Sequence, residues 1–146
     1  MAAPLYTREI LRLAASIPHL GDLEGADARA DKRSPLCGSR VSVALSLDGQ
    51  GRVSAFSQEV HACALGQAAA ALLGRHVLGS SLGELETARD ALRDFLAGRR
   101  DEPGEWPDVS LLASARPFAA RHASILLAFD AAAEAAAQAQ ARRAAA

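Results

Sequence analysis

Apolar and polar residues alternate through RVSVALSLDGQGRVSAFSQEV, residues 40–60. Val41, Val43, Leu45 and Leu47 share one face, the chain turns at 48–51, and an alternating run resumes at Val53. A period of two with an Asp-Gly turn predicts a β-hairpin. Its apolar face needs a cover, and the remaining patterns are helical. ACALGQAAAALLGRHVLG is apolar almost all round, as suits a helix buried against the sheet and ended by Gly79. Ser81 and Glu84 form a capping box before Leu85, Ala88, Leu92, Phe95 and Leu96, which recur at helical spacing. Thr7 caps a lead-in helix over 7–16 with Ile10, Leu11, Leu13 and Ala14 on its apolar stripe, and Pro18 stops it.

Between Pro18 and Pro35 the chain is polar and carries glycine, which predicts a loop with a short edge strand over Ala28–Arg33. After Gly98 a loop carries Trp106, expected to pack as a lid over a helix pair, and Asp108 is placed to cap a short helical turn. A long alanine-rich helix is expected from near Pro117, with fraying from about 135 because the tail has so little to bury. The pattern predicts a single α+β domain over 1–146, a small antiparallel sheet of hairpin plus edge strand, covered on one side by helices.

Composition narrows the function. The 146 residues are 50% hydrophobic and 23% charged, with a formal net charge of -1, so there is no broad basic field for nucleic acid. The first residues interrupt their apolar pattern with Arg8, Glu9 and Arg12, which reads as neither secretion signal nor membrane span, and a cytoplasmic protein is expected. In a reducing compartment two cysteines point to core filling, a catalytic thiol or metal ligation rather than a disulfide. Cys37, in SPLCGSR, stands at a loop-to-strand junction. Cys63, in EVHACALG, stands at a helix N-terminus, where free N–H groups and the helix dipole favour the thiolate. The hairpin between them brings the chain back to the end at which it began, a placement compatible with one shared site.

Cys-Gly before a strand, a hairpin, then a cysteine entering a small-residue helix resembles the iron-sulfur cluster assembly scaffolds of the IscU-like, NifU N-terminal and SufU-like family. PLCGSR stands for that family's N-P-x-C-G-D, the following hairpin and helix for its G-x-G-C-A-x-S-x-A-S, and RHASILLAF for the segment around its third cysteine. The resemblance implies a scaffold or carrier, not an enzyme, that holds a labile iron-sulfur cluster, iron ion or zinc through Cys37 and Cys63. Its implied partners are a cysteine desulfurase and apo iron-sulfur acceptors, with no nucleic acid and no membrane.

This chain departs from the family at two ligand positions. Ser39 replaces the aspartate after Cys-Gly, and the third cysteine falls on Ser124 or on Ala123, depending on the alignment. ARPFA stands in place of the proline-valine chaperone motif. His122 is the leading candidate to complete the ligand set, since imidazole binds zinc and replaces cysteine on some cluster irons. His61, Ser39 and Ser124 are weaker candidates. Two rival readings remain: a degenerate member that binds zinc or docks on a desulfurase as a regulatory adaptor, and a thiol enzyme using Cys63 with His61 or His122 as base.

Overall fold

In the computed structural model, which describes residues 5–35 and 38–145, the hairpin is the centre of the fold. Strand β2 (Arg40–Leu47) pairs antiparallel with β3 (Val53–His61), and β1 (Ala28–Arg33) pairs antiparallel on the other side of β2, giving the order β1-β2-β3. The α+β class and the edge strand expected from the pattern are both present. Val41, Val43 and Leu45 are buried with Ala28, Ala30 and Phe56, as a period of two requires of residues sharing one face.

The helices are α1 (Arg8–Ala14), α2 (Ala64–His76), α3 (Leu82–Leu96) and α4 (His122–Ala145), with 3-10 helices at Val109–Ala115 and Ala119–Arg121. Thr7 accepts from the Ile10 amide, and the Ser81–Glu84 capping box is present in both directions. Helix α4 lies on β1 and β2, while α2 and α3 pack against α4 and α1 packs against α2. The indole of Trp106 closes part of this layer. It donates to the Leu72 carbonyl of α2 at 2.9 Å and meets the Phe129 ring of α4 edge-on at 5.7 Å. No helix among the described residues is long and apolar enough to cross a membrane.

The alanine-rich tail differs from the expectation of fraying from about 135. Helix α4 continues to Ala145, and Ala135, Ala136 and Ala139 are fully buried. Alanine lets a helix lie close to a sheet whose edge strand is itself faced by Ala28 and Ala30, so small side chains serve as packing rather than filler. Arg142 donates to the Asp27 carbonyl and Arg143 to the Asp48 carbonyl, which fastens the helix end to the sheet. The helix also begins later than expected, at His122, because a turn follows Ala115 and Ala119–Arg121 form a 3-10 helix. Asp108 precedes its 3-10 helix at φ 64° without a side-chain cap bond.

One feature gives no signal in the pattern. Gln58 lies on the inner face of β3, almost fully buried, and its amide donates to the carbonyls of Pro18 and Ala70, each at 3.1 Å. Its backbone pairs with His19 and Gly21, so Leu20 forms a parallel bridge beside β3 within the segment read as loop.

Candidate functional site

The site is built where the hairpin opens. Arg40 pairs with His61 as the last rung of the β2–β3 ladder, so the residue before β2 and those just after β3 lie at the same end of the sheet. The loop entering β2 is closed on itself: the Ser34 amide donates to the Ser39 carbonyl at 2.8 Å, and the Gly38 amide to the Ser34 carbonyl at 3.0 Å. Gly38 has φ 70°, a left-handed conformation that glycine adopts without steric cost. Ser39 is thereby held inward and is 4% exposed.

Cys63 is the N-cap residue of α2, half-buried, with an extended backbone. Its Sγ lies 3.4 Å from Ser124 Oγ, and Ser124 Oγ donates to Ser39 Oγ at 3.0 Å. Three segments remote in sequence therefore meet through a chain of thiol, hydroxyl and hydroxyl. Ser124 stands in the first turn of α4 and is 1% exposed, whereas Ala123 faces solvent. Of the two positions on which the third cysteine can fall, it is Ser124 whose side chain meets the thiol. Gly66 makes the approach possible, since a Cβ there would stand 2.6 Å from Ser124 Oγ and 2.7 Å from the Ala62 Cβ.

The environment of Cys63 favours the thiolate. Burial pushes its proton affinity up, but hydrogen bonding with Ser124 and with the Gly66 and Leu65 amides, together with the positive field of Arg121, outweighs it and holds the thiol below its ordinary pKa. The amides are the unpaired donors of the first turn of α2.

The other candidates are placed as follows. His122 opens α4, and its Nε2 lies 2.9 Å from the Ala115 carbonyl and 3.1 Å from the Arg116 carbonyl. Carbonyls only accept, so Nε2 carries the hydrogen, and Nδ1 is the ring's remaining donor atom toward a metal. His61 is exposed at the end of β3. The side-chain bond of Cys63 is with Ser124 rather than with a histidine base. Cys37 lies outside the described residues. Among the described residues no three His, Cys, Asp or Glu side chains converge as a metal-binding group.

The pairing of Ser39 with Ser124 and the role of Arg121 were not legible in the sequence. The signal available was the R-x-x-S spacing, which puts Arg121 and Ser124 on one side of the helical turn that faces the start of α2.

The chain has clear relatives of known structure. The family described as NifU-like N terminal domain matches residues 5–145. A crystal structure of a nitrogen-fixing NifU-like protein (N-terminal) from Brucella abortus superposes with a TM-score of 0.90 at 39% identity, covering 94% of this chain and 96% of that one. A putative iron-sulfur cluster assembly scaffold protein for the SUF system from Fervidobacterium islandicum superposes with a TM-score of 0.83 at 17% identity, covering 90% of this chain and 96% of that one, and so shares the fold. No curated protein matches the chain. The family match runs through every element described above, and on that ground the chain belongs to the NifU-like N-terminal domain family, whose members are scaffolds or carriers for iron-sulfur clusters and not enzymes.

Proposed function

We propose that this chain carries iron or an iron-sulfur cluster during cluster assembly, with the Cys37 and Cys63 thiolates as its protein ligands. The observation that carries this reading is the meeting of Cys63, Ser124 and Ser39 at one end of the sheet, since each stands at a position the family's ligand motifs occupy. The donor set fits a loosely held cargo. Cys63 is a soft ligand with a depressed pKa, while Ser39 and Ser124 are neutral hydroxyls that spend hydrogen bonds on each other. A shell short of thiolates releases its metal more easily than a complete one. We place His122 as a clamp on the carbonyls before α4, since the side chain that meets the Cys63 thiol is the Ser124 hydroxyl, itself bonded to Ser39, rather than the imidazole. His61 is left as a flanking residue. The partners of this reading are a cysteine desulfurase as sulfur source and apo acceptor proteins, in the cytoplasm.

The neutral hydroxyls at 39 and 124 also support a second reading, in which the bound ion is zinc and the chain regulates assembly. A zinc competition titration tests the shared claim. Cys37→Ala and Cys63→Ala should each abolish tight zinc binding, and Ser39→Asp or Ser124→Cys should strengthen it. Wild-type affinity in both alanine variants would refute the assignment of the two thiols.

A further inference from the structure

The face of the sheet turned away from the helices carries a cavity of its own. Side chains that alternate with the core residues stand on this face, and the strand register sets them in two rows, Asp31–Ser42–Glu59 and Arg29–Ala44–Ser57. Residues 21–27 cross it from β3 to β1. The Gly21 amide donates to the Gln58 carbonyl, Arg29 reaches Asp22 at 3.3 Å and the Leu23 carbonyl at 2.6 Å, and the Asp27 amide donates to Ser46 Oγ at 3.2 Å. Beside that crossing lies an open cavity of about 420 Å3, lined by both rows. Its lining carries three carboxylates against two guanidiniums, and both guanidiniums are taken, Arg29 by Asp22 and Arg40 by Asp31 at 2.6 Å. Glu59 is exposed and stands in the field of Arg40, yet forms no ion pair with a described residue. Ser57 is the second group left open. It is 6% exposed, and its Oγ has no hydrogen-bond partner among the described residues, a condition that native folds ordinarily avoid.

We propose that this cavity receives a lysine side chain of a partner chain laid on the helix-free face of the sheet, its ammonium pairing with Glu59 and donating to the hydroxyls of Ser42 and Ser57. Charge complementarity carries the choice. With both guanidiniums committed, the hydrogen-bonding capacity left over is one carboxylate and the hydroxyls beside it, which match a cation that brings donors and no acceptor. An ammonium offers three N–H groups in a compact head, as many as those acceptors, whereas a guanidinium is a planar fork suited to two oxygens of one carboxylate. An anion would meet the unpaired Glu59 as a like charge. The site is separate from the thiol and its serines, and its claim does not depend on what they bind.

The test titrates the full chain with a short capped alanine-glycine peptide bearing one central lysine and follows backbone amide shifts by NMR. Matching peptides carry norleucine or arginine in place of the lysine, and butylamine serves as the free amine. The amides of Ser42, Ser57 and Glu59 should shift saturably with the lysine peptide and not with norleucine, and arginine should bind less tightly. Glu59→Gln should weaken the lysine peptide about fivefold, the upper range for an exposed ion pair. Ser57→Ala should weaken it as well, while Tm holds or rises, because the free protein has no hydrogen bond there to lose. Equal binding of the norleucine peptide, wild-type affinity in Glu59→Gln, or a Ser57→Ala variant that melts lower and binds as wild type does would overturn the inference, as would the absence of saturable shifts with any probe. Arginine bound as tightly as lysine would overturn the choice of an ammonium. Butylamine bound without the peptide would assign the cavity to a free amine and overturn its assignment to a partner chain.

Discussion

Without the hydroxyl of Ser124, Cys63 would keep the Leu65 and Gly66 amides and the field of Arg121 but lose a side-chain hydrogen-bond partner. The pH midpoint of Cys63 alkylation should therefore rise in Ser124→Ala, measured by iodoacetamide rates in a Cys37→Ala background so that a single thiol reacts. An unmoved midpoint would mean that the hydroxyl does not stabilise the thiolate. The sign carries over to stability and binding. A thiol whose folded pKa is depressed contributes stability that is fully present above its unfolded pKa and is lost as pH falls through the folded value. Zinc affinity should decline over that same lower window, because the proton competes for the ligand. Adding ligands should act in the opposite direction. Outer-shell changes alone move metal affinity by about 10–100-fold, and the thiolate gained in Ser124→Cys should at least match that. The Gly66→Ala exchange should cost about 1–3 kcal/mol in chemical denaturation, since its methyl would press on Ser124 and Ala62 in a packed site.

At the scale of elements, α4 decides how the site is held, and here the tail matters. Ending the chain after Glu134 would remove the buried Ala135, Ala136 and Ala139 together with the Arg142 and Arg143 contacts. At about 0.8 kcal/mol per buried methyl-sized group this costs ~2 kcal/mol, enough to lower Tm by about 5–10 °C in a thermal melt. An unchanged Tm would return the tail to the frayed state that its composition suggests. The reason it misleads is physical: alanine lacks the bulk by which an apolar stripe is recognised, so a face of alanines reads as propensity without packing. The hairpin and the capped α3 were legible because a period of two and a capping box are local signals. The parallel bridge at Leu20 was not, since it depends on Gln58, forty residues from the Pro18 carbonyl it binds. The candidacy of His122 came from the motif, and the contacts of its Nε2 with the Ala115 and Arg116 carbonyls had no signal there. Replacing it with alanine should cost about 1 kcal/mol of stability and leave zinc affinity unchanged, and a tenfold loss of affinity would restore it as a ligand.

For the whole molecule, the helices hold one end of the sheet where the Cys63 thiol meets Ser124 and Ser39, and the chain carries fewer strong ligands there than the family motif. Such a carrier should take up a cluster only weakly and give it away readily. The most direct measurement is anaerobic reconstitution with iron and sulfide in the presence of a small thiol, followed by visible circular dichroism and by iron and acid-labile sulfide content. The wild-type chain should show a cluster signal with iron and sulfide in equal amounts and should lose it quickly to an apo acceptor or a chelator. Cys63→Ala should show no signal under the same conditions. A wild-type chain that forms no cluster at any thiol concentration, and that cannot be told from Cys63→Ala, would contradict the carrier account.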